Sequence, residues 1–127
     1  MVDERKKSVD RKELENWIGE RYGVAPDNPW PRYPDNAVYR HGGNRKWFAL
    51  VMSVAAEKLG LRQTGQVDVV NLKCDPILQG SLLTRPGIFP AYHMNKVNWI
   101  SVALDGSVDG ETVKALVEAS YDATWLK

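Results

Sequence analysis

The chain has 127 residues, 43% of them apolar and 26% charged, the composition of one folded domain and not of a disordered chain. Seventeen Lys and Arg against sixteen Asp and Glu leave a formal charge of +1, which excludes attraction of the whole molecule to nucleic acid or an anionic membrane and leaves only local patches. One cysteine, Cys74, excludes an internal disulfide, and the most apolar run, Trp47 to Ala56, is half the length of a membrane span.

Met1 to Ser8 are charged and lack the apolar stretch of a secretory signal, so a reducing cytosol is the expected compartment. Asp10 followed by Glu13 forms a capping pair, Leu14, Trp17, Ile18 and Tyr22 recur at helical spacing, and Gly23 supplies a stop; a helix is predicted over Arg11 to Tyr22. Val24 to Asn36 carries four prolines, Pro26, Pro29, Pro31 and Pro34, and reads as an extended crossing. Ala37 to His41 and Arg45 to Ala56 read as a hairpin around Gly42, Gly43 and Asn44. A polar connection, Glu57 to Gln66, leads to a third strand, Val67 to Cys74. Asp75 and Pro76 then start a short helix whose stripe is Ile77, Leu78, Leu82 and Leu83, ended by Arg85, Pro86 and Gly87. Asn98 to Leu104 is a further strand, and Asp109 caps a last helix with Val113, Leu116, Val117 and Tyr121 on its apolar face. The order predicts one α+β domain over residues 1–127, an antiparallel sheet with the terminal helices on one face.

Alternation places Val70, Leu72 and Cys74 on one strand face and Ile100, Val102 and Leu104 on another, and these form the expected core. The opposite sets hold Val69, Asn71 and Lys73, and Trp99, Ser101 and Ala103. Residues 38 to 100 carry eight basic and three acidic side chains, so the sheet region is +5 and the ends together −4. A basic outer sheet face with aromatic rings is the pattern of a surface that tracks phosphates and stacks bases, with Arg40, Lys46, Lys73, Lys96 and Trp99 as its contacts. The segment Tyr92 to Trp99 is the densest cluster of hydrogen-bonding side chains, with Tyr92, His93, Asn95, Lys96 and, from the facing strand, Asn71. Such a cluster either presents polar groups to a ligand or bonds a loop's backbone onto the sheet, the more frequent use.

No catalytic motif, cofactor or metal is expected. Cys74, His93 and Asn95 or Asn98 have the residue types of a thiol nucleophile, base and orienter, but their spacing does not bring them together, and Cys74 reads as a packed small hydrophobe. His41, His93 and Cys74 do not have zinc-site spacing, and Gly42 and Gly43 belong to a turn and not to a phosphate loop.

The blocks Asn71-Leu72-Lys73-Cys74-Asp75-Pro76 and Tyr92-His93-Met94-Asn95-Lys96-Val97-Asn98-Trp99-Ile100 resemble the MmcQ/YjbR family of small bacterial proteins. The likeness extends to Lys46-Trp47-Phe48-Ala49-Leu50, to the Leu104-Asp105-Gly106-Ser107 turn and to Ser120-Tyr121. Ala91 stands where a glycine is common and Asn98 where a histidine is common, which weakens any role that needs an imidazole there. The resemblance implies a CyaY-like α+β fold and carries that family's usual DNA-binding label, an analogy from fold. The same fold houses frataxin-type iron binders, but Arg11, Lys12 and Arg21 interrupt the acidic ridge that iron delivery needs. The expectation is a module that contacts DNA or another nucleic acid through the outer sheet face, or else one that holds a protein or small ligand in a polar pocket at Tyr92 to Trp99.

Overall fold

In the computed structural model, which describes residues 8–125, the capping box forms as the sequence predicts. Asp10 accepts from the amide of Glu13 at 2.8 Å, Glu13 accepts from the amide of Asp10 at 3.1 Å, and α1 runs Arg11–Tyr22 to a left-handed Gly23. The reading of Met1 to Ser8 falls, except for Ser8, outside the described residues. The strands are β1 (Ala37–Arg40), β2 (Trp47–Ala55), β3 (Gln66–Lys73), β4 (Ile88–Pro90) and β5 (Trp99–Ala103). The helices α2 (Pro76–Leu82) and α3 (Gly110–Trp125) follow β3 and β5, and a 3-10 turn, Ala56–Leu59, follows β2. All pairings are antiparallel, in the order β1-β2-β3-β5-β4. Neither β4 nor the 3-10 turn was signalled by sequence pattern; β4 is three residues long and ends in Pro90. No helix among the described residues is long and apolar enough to cross a membrane.

The inner face packs as alternation demands. Leu14 and Ile18 of α1 and Val113 and Val117 of α3 cover Val51, Val70, Leu72, Ile100 and Val102, with Cys74 at the margin. The opposite face is the main correction: it is a second apolar layer and not an open basic surface. Val38, Leu50, Met52, Val54, Val67, Val69 and Ala103 are buried there under Trp30, Leu59, Leu61, Tyr92 and Met94. The stripe predicted for α2 holds in part: Leu82 and Leu83 pack against the inner cluster, whereas Ile77 is 87% and Leu78 57% exposed. The buried residue of α2 is Gln79, whose amide donates to the carbonyls of Val97 at 2.7 Å and Cys74 at 3.3 Å.

One irregularity sets which aromatic ring faces which layer. Tyr39 pairs with Ala49 but Arg40 pairs with Trp47, so Phe48 is an extra residue in β2. Phe48 and Ala49 consequently both enter the inner cluster, and Trp47 packs on the outer one. The bulge breaks the β2–β3 ladder, whose register begins only at Ala49 and Leu72. Ser120 of α3 repairs it: the amide of Lys73 donates to Ser120 Oγ at 2.9 Å, and Ser120 Oγ donates to the carbonyl of Phe48 at 2.6 Å. Ser120→Ala leaves both backbone groups buried without a partner, so the expected loss in urea denaturation is about 1–3 kcal/mol with an unchanged fold by circular dichroism.

His41 closes the same corner. It is fully buried among the rings of Phe48, Tyr121 and Trp125, with centroids 5.3, 4.1 and 5.3 Å away. Its Nε2 lies 2.7 Å from Thr124 Oγ1, whose own proton is directed at the Ser120 carbonyl 2.9 Å away, so Nε2 carries the imidazole hydrogen. Nδ1 has no partner among the described residues. Burial holds the imidazole pKa below its ordinary 6.5, the Tyr121 backbone opposes that shift, and the Lys46 charge adds to it. Below pH 6.5 the unfolded chain therefore takes up a proton that folded His41 refuses, and stability falls with pH until the folded pKa is passed. Urea midpoints measured from pH 7.5 down to pH 5 should decline in the wild type and decline less in His41→Gln; parallel slopes would contradict a neutral buried imidazole.

Candidate functional site

The polar residues on the outer face of β3 and β5 turn inward on the protein itself. Asn71 and Ser101 are register partners, both fully buried. Asn71 Nδ2 donates to the carbonyl of Tyr92 at 3.1 Å and contacts Met52 Sδ at 3.5 Å. Ser101 Oγ donates to Asn71 Oδ1 and accepts from the amide of Tyr92 at 2.9 Å. Both backbone groups of Tyr92 are thus held, and Asn71 has no group left for a ligand, a correction to its reading as a contact residue. The rest of the segment is fastened in the same way: Asn95 Oδ1 accepts from the amide of Val97 at 2.8 Å, and the amide of Cys74 donates to the carbonyl of Asn98 at 2.7 Å. The loop is held to the sheet by side chains from outside the Tyr92 to Trp99 segment, Asn71, Ser101 and Gln79, and not by the segment's own polar side chains.

That fastening builds one wall of a groove of about 590 Å³. Leu50, Met52 and Val54 of β2 make its floor, Tyr92, His93 and Met94 one wall, and Trp30, Tyr33 and Trp47 the other. The indoles of Trp30 and Trp47 meet edge to face at 5.6 Å, and the rings of Tyr92 and His93 lie 4.0 Å apart. His93 has φ 62°, a left-handed backbone that non-glycine residues seldom adopt. The volume and the mostly apolar lining with a few polar groups are those of a ligand site. The sequence pointed to Tyr92 and His93 but missed Trp30, Tyr33, Leu50 and Met52. Trp30 lies in a proline-rich crossing without periodicity, and the outward direction of Trp47 depends on the bulge.

The remaining expected contacts fall into two places. Arg40 (β1), Lys73 (β3) and Trp99 (β5) lie with Trp47 (β2) across one end of the outer face, an alternating row of cations and indoles set by the pairings Arg40–Trp47 and Lys73–Trp99. Arg40 is engaged, 3.2 Å from Asp27 Oδ2 and 5.5 Å above the Trp47 ring. Lys73 and Trp99 are half-buried, and Asn95 and Lys96 are exposed on the neighbouring loop. Lys46, expected on this face, precedes Trp47 and lies on the inner side, where its charge acts on His41. Cys74 and His93 are on opposite sides of the sheet, Cys74 in the inner cluster and His93 at the groove. Burial and the neighbouring Asp75 push the Cys74 thiol up, away from the reactive thiolate. No group of three or more His, Cys, Asp or Glu among the described residues is placed to hold a metal ion.

Fold and site together define a small α+β protein with a two-sided sheet and a loop-walled groove. The YjbR family profile matches residues 19–123, and the chain belongs to that family. It is 40% identical over 116 residues to the uncharacterized protein YyaQ of Bacillus subtilis, covering 91% of this chain and 98% of that one. It is 33% identical over 96 residues to the uncharacterized protein YbdF of Escherichia coli O157:H7, covering 73% of this chain and 67% of that one. A crystal structure of a Pseudomonas syringae protein superposes with a TM-score of 0.89 at 44% identity, covering 91% of this chain and 99% of that chain. Deinococcus radiodurans protein DR2400 shares the fold, with a TM-score of 0.72 at 24% identity over 97% of this chain and 83% of that chain.

Asn71→Ala removes the donor to the Tyr92 carbonyl and the acceptor for Ser101. The expected cost is about 1–3 kcal/mol, with faster hydrogen exchange across residues 92–98 and unchanged exchange in α1 and α3. Equal acceleration throughout the chain would mean that Asn71 supports the fold and not the loop.

Proposed function

We propose that this YjbR-family protein is a non-catalytic binding module whose ligand enters the groove between Trp30 and Trp47 on one side and Tyr92 and His93 on the other. The observation that carries the reading is a groove on the outer sheet face walled by aromatic rings, with the nearly buried Leu50, Met52 and Val54 beneath it. Leu50, Met52 and Val54 offer dispersion contact to a bulky apolar group, and Tyr33, 60% exposed, is placed to cover it.

Nucleic-acid contact is the second reading, supported by the row of Arg40, Trp47, Lys73 and Trp99 beside the exposed Lys96. In it, Lys73 and Lys96 meet phosphates and Trp99 offers a stacking face, while Arg40 must first leave Asp27.

The two readings separate in one set of titrations. Indole followed by NMR should shift the Met52 methyl and the Trp30 and Trp47 indole amides, and Tyr33→Ala should weaken binding roughly three- to tenfold, the value of one aromatic contact. Single-stranded DNA and RNA, titrated at two salt concentrations, test the row: Lys73→Ala with Lys96→Ala should lower the salt slope by about 1.4. No oligonucleotide binding at low salt retires the nucleic-acid reading, and no indole shift in the groove retires the first.

A further inference from the structure

The groove has an open strand edge along one side, and the identity of its partner, which rests on the groove reading above, follows from that edge. β1 pairs with β2 only from Ala37, opposite Val51, to Arg40, opposite Trp47. β2 continues to Ala55 with β3 on its other side throughout. The direction of its backbone groups is set by Val38, whose amide and carbonyl both bond Asp27 on the far side of β1 at 2.8 Å. Val38 and Leu50 therefore face each other without exchanging bonds, and the bonded pair is Ala37 with Val51. Counting on in twos, Ser53 and Ala55 direct their amides toward the place that β1 has left. Among the described residues, none hydrogen-bonds the backbone amide or carbonyl of Ser53 there.

The reason β1 ends is local. The residues that would face Ser53 and Val54 are Asp35 and Pro34, and Pro34 has no amide to offer. Two turns, Tyr33 amide to Trp30 carbonyl at 2.9 Å and Asn36 amide to Tyr33 carbonyl at 3.0 Å, curl the chain away. Asn28 Nδ2 locks the curl by donating to the carbonyls of Pro34 and Asn36. Elsewhere Asp27 bridges Val38 on the outer side of β1, and the β4 edge is only three residues long and ends in Pro90, which has no amide.

Ser53 and Ala55 also line the groove, next to the outward side chains of Met52 and Val54. A strand laid on this edge would carry every second side chain over the floor. Among the residues lining the groove Lys58 carries the one fixed charge, and no carboxylate accompanies it. We infer that the groove's partner is an extended polypeptide segment that pairs with Ser53 and Ala55 as an added strand, sets one bulky apolar side chain on Leu50, Met52 and Val54, and carries an acidic residue toward Lys58. Main-chain pairing supplies the attachment and the groove supplies the selectivity.

The test is selection of a phage-displayed library of random heptapeptides on the whole chain, followed by synthesis of the enriched sequence. The expected sequence has one aromatic or large aliphatic residue with Asp or Glu near it. Its binding should slow hydrogen exchange at the amides of Ser53 and Ala55, and should weaken about tenfold when the peptide amide facing the edge is methylated or when Lys58 is changed to Glu. Ser53→Pro removes an edge amide and no β3 ladder bond, and should weaken binding similarly while circular dichroism is unchanged. If that variant misfolds, the exchange and methylation arms still decide. A peptide that binds without protecting Ser53 and Ala55, or that tolerates methylation, overturns the inference. So does a dimer joined through these amides with no peptide enriched, which gives the edge to a second copy. Indole binding in the groove with no peptide enriched sinks strand addition alone, whereas failure of both probes sinks the groove reading as well.

Discussion

The extra residue at Phe48 is the constraint on which the two layers depend. In a regular strand successive side chains alternate, so Trp47 and Ala49 would share a face. The bulge sends Trp47 outward and keeps both Phe48 and Ala49 inward. Inward, Phe48 meets Tyr22, Tyr39, His41 and Tyr121, the aromatic cluster that joins the sheet to α1 and α3. Outward, Trp47 meets Trp30 and forms a wall of the groove. A ladder interrupted in a buried place leaves a donor and an acceptor without partners, and one serine hydroxyl from α3 satisfies both. The groove wall, the inner cluster and the docking of the last helix thus share one local event.

A second constraint follows from composition. The strands are apolar on both faces, and the helices cover only one. The outer face has to be covered by irregular chain, which brings its own backbone polar groups into a buried place where each must be bonded. Asn71 and Ser101 do this for Tyr92 at the centre of the sheet. On the other side, the proline-rich crossing contributes Trp30 as a lid and satisfies its own carbonyls through Asn28. The two covers come from separate parts of the chain, and the gap between them is the groove.

These facts explain what could be read from sequence. Helix α1 was legible to the residue because its caps are local chemistry, and the sets Val70, Leu72, Cys74 and Ile100, Val102, Leu104 because period-two alternation survives in regular strands. The nature of the opposite set was not legible. Alternation tells which residues share a face, but not whether water or a loop lies beyond it. Asn71 beside Lys73 therefore reads as a solvated polar face although the amide is fully buried. The bulge left no trace in composition, so Lys46 reads as sharing the outer face with Trp47 although it lies on the inner side. Ile77 and Leu78 read as core because a short amphipathic pattern was expected to face inward along its whole length, whereas α2 is held by Gln79 and by Leu82 and Leu83 at its end.

Trp47 belongs to both candidate surfaces, and energies distinguish what each surface can change. Arg40 lies over its ring and pairs with Asp27, whose side chain is 47% exposed. Such a pair is worth about 0–1 kcal/mol, and the cation–π contact adds roughly 0.5–1 kcal/mol at an exposed site. A phosphate that forms a charge-assisted bond of about 1.5–3 kcal/mol could therefore draw Arg40 from its present partners. The packing of Trp47 against Trp30 is different, because separating the indoles would expose apolar area on both rings and on the floor beneath them at about 25 cal/mol per Å². The groove is accordingly a fixed feature of the fold, while the basic row is adjustable. A ligand in the groove can use a shape that already exists; one on the row must first rearrange the surface.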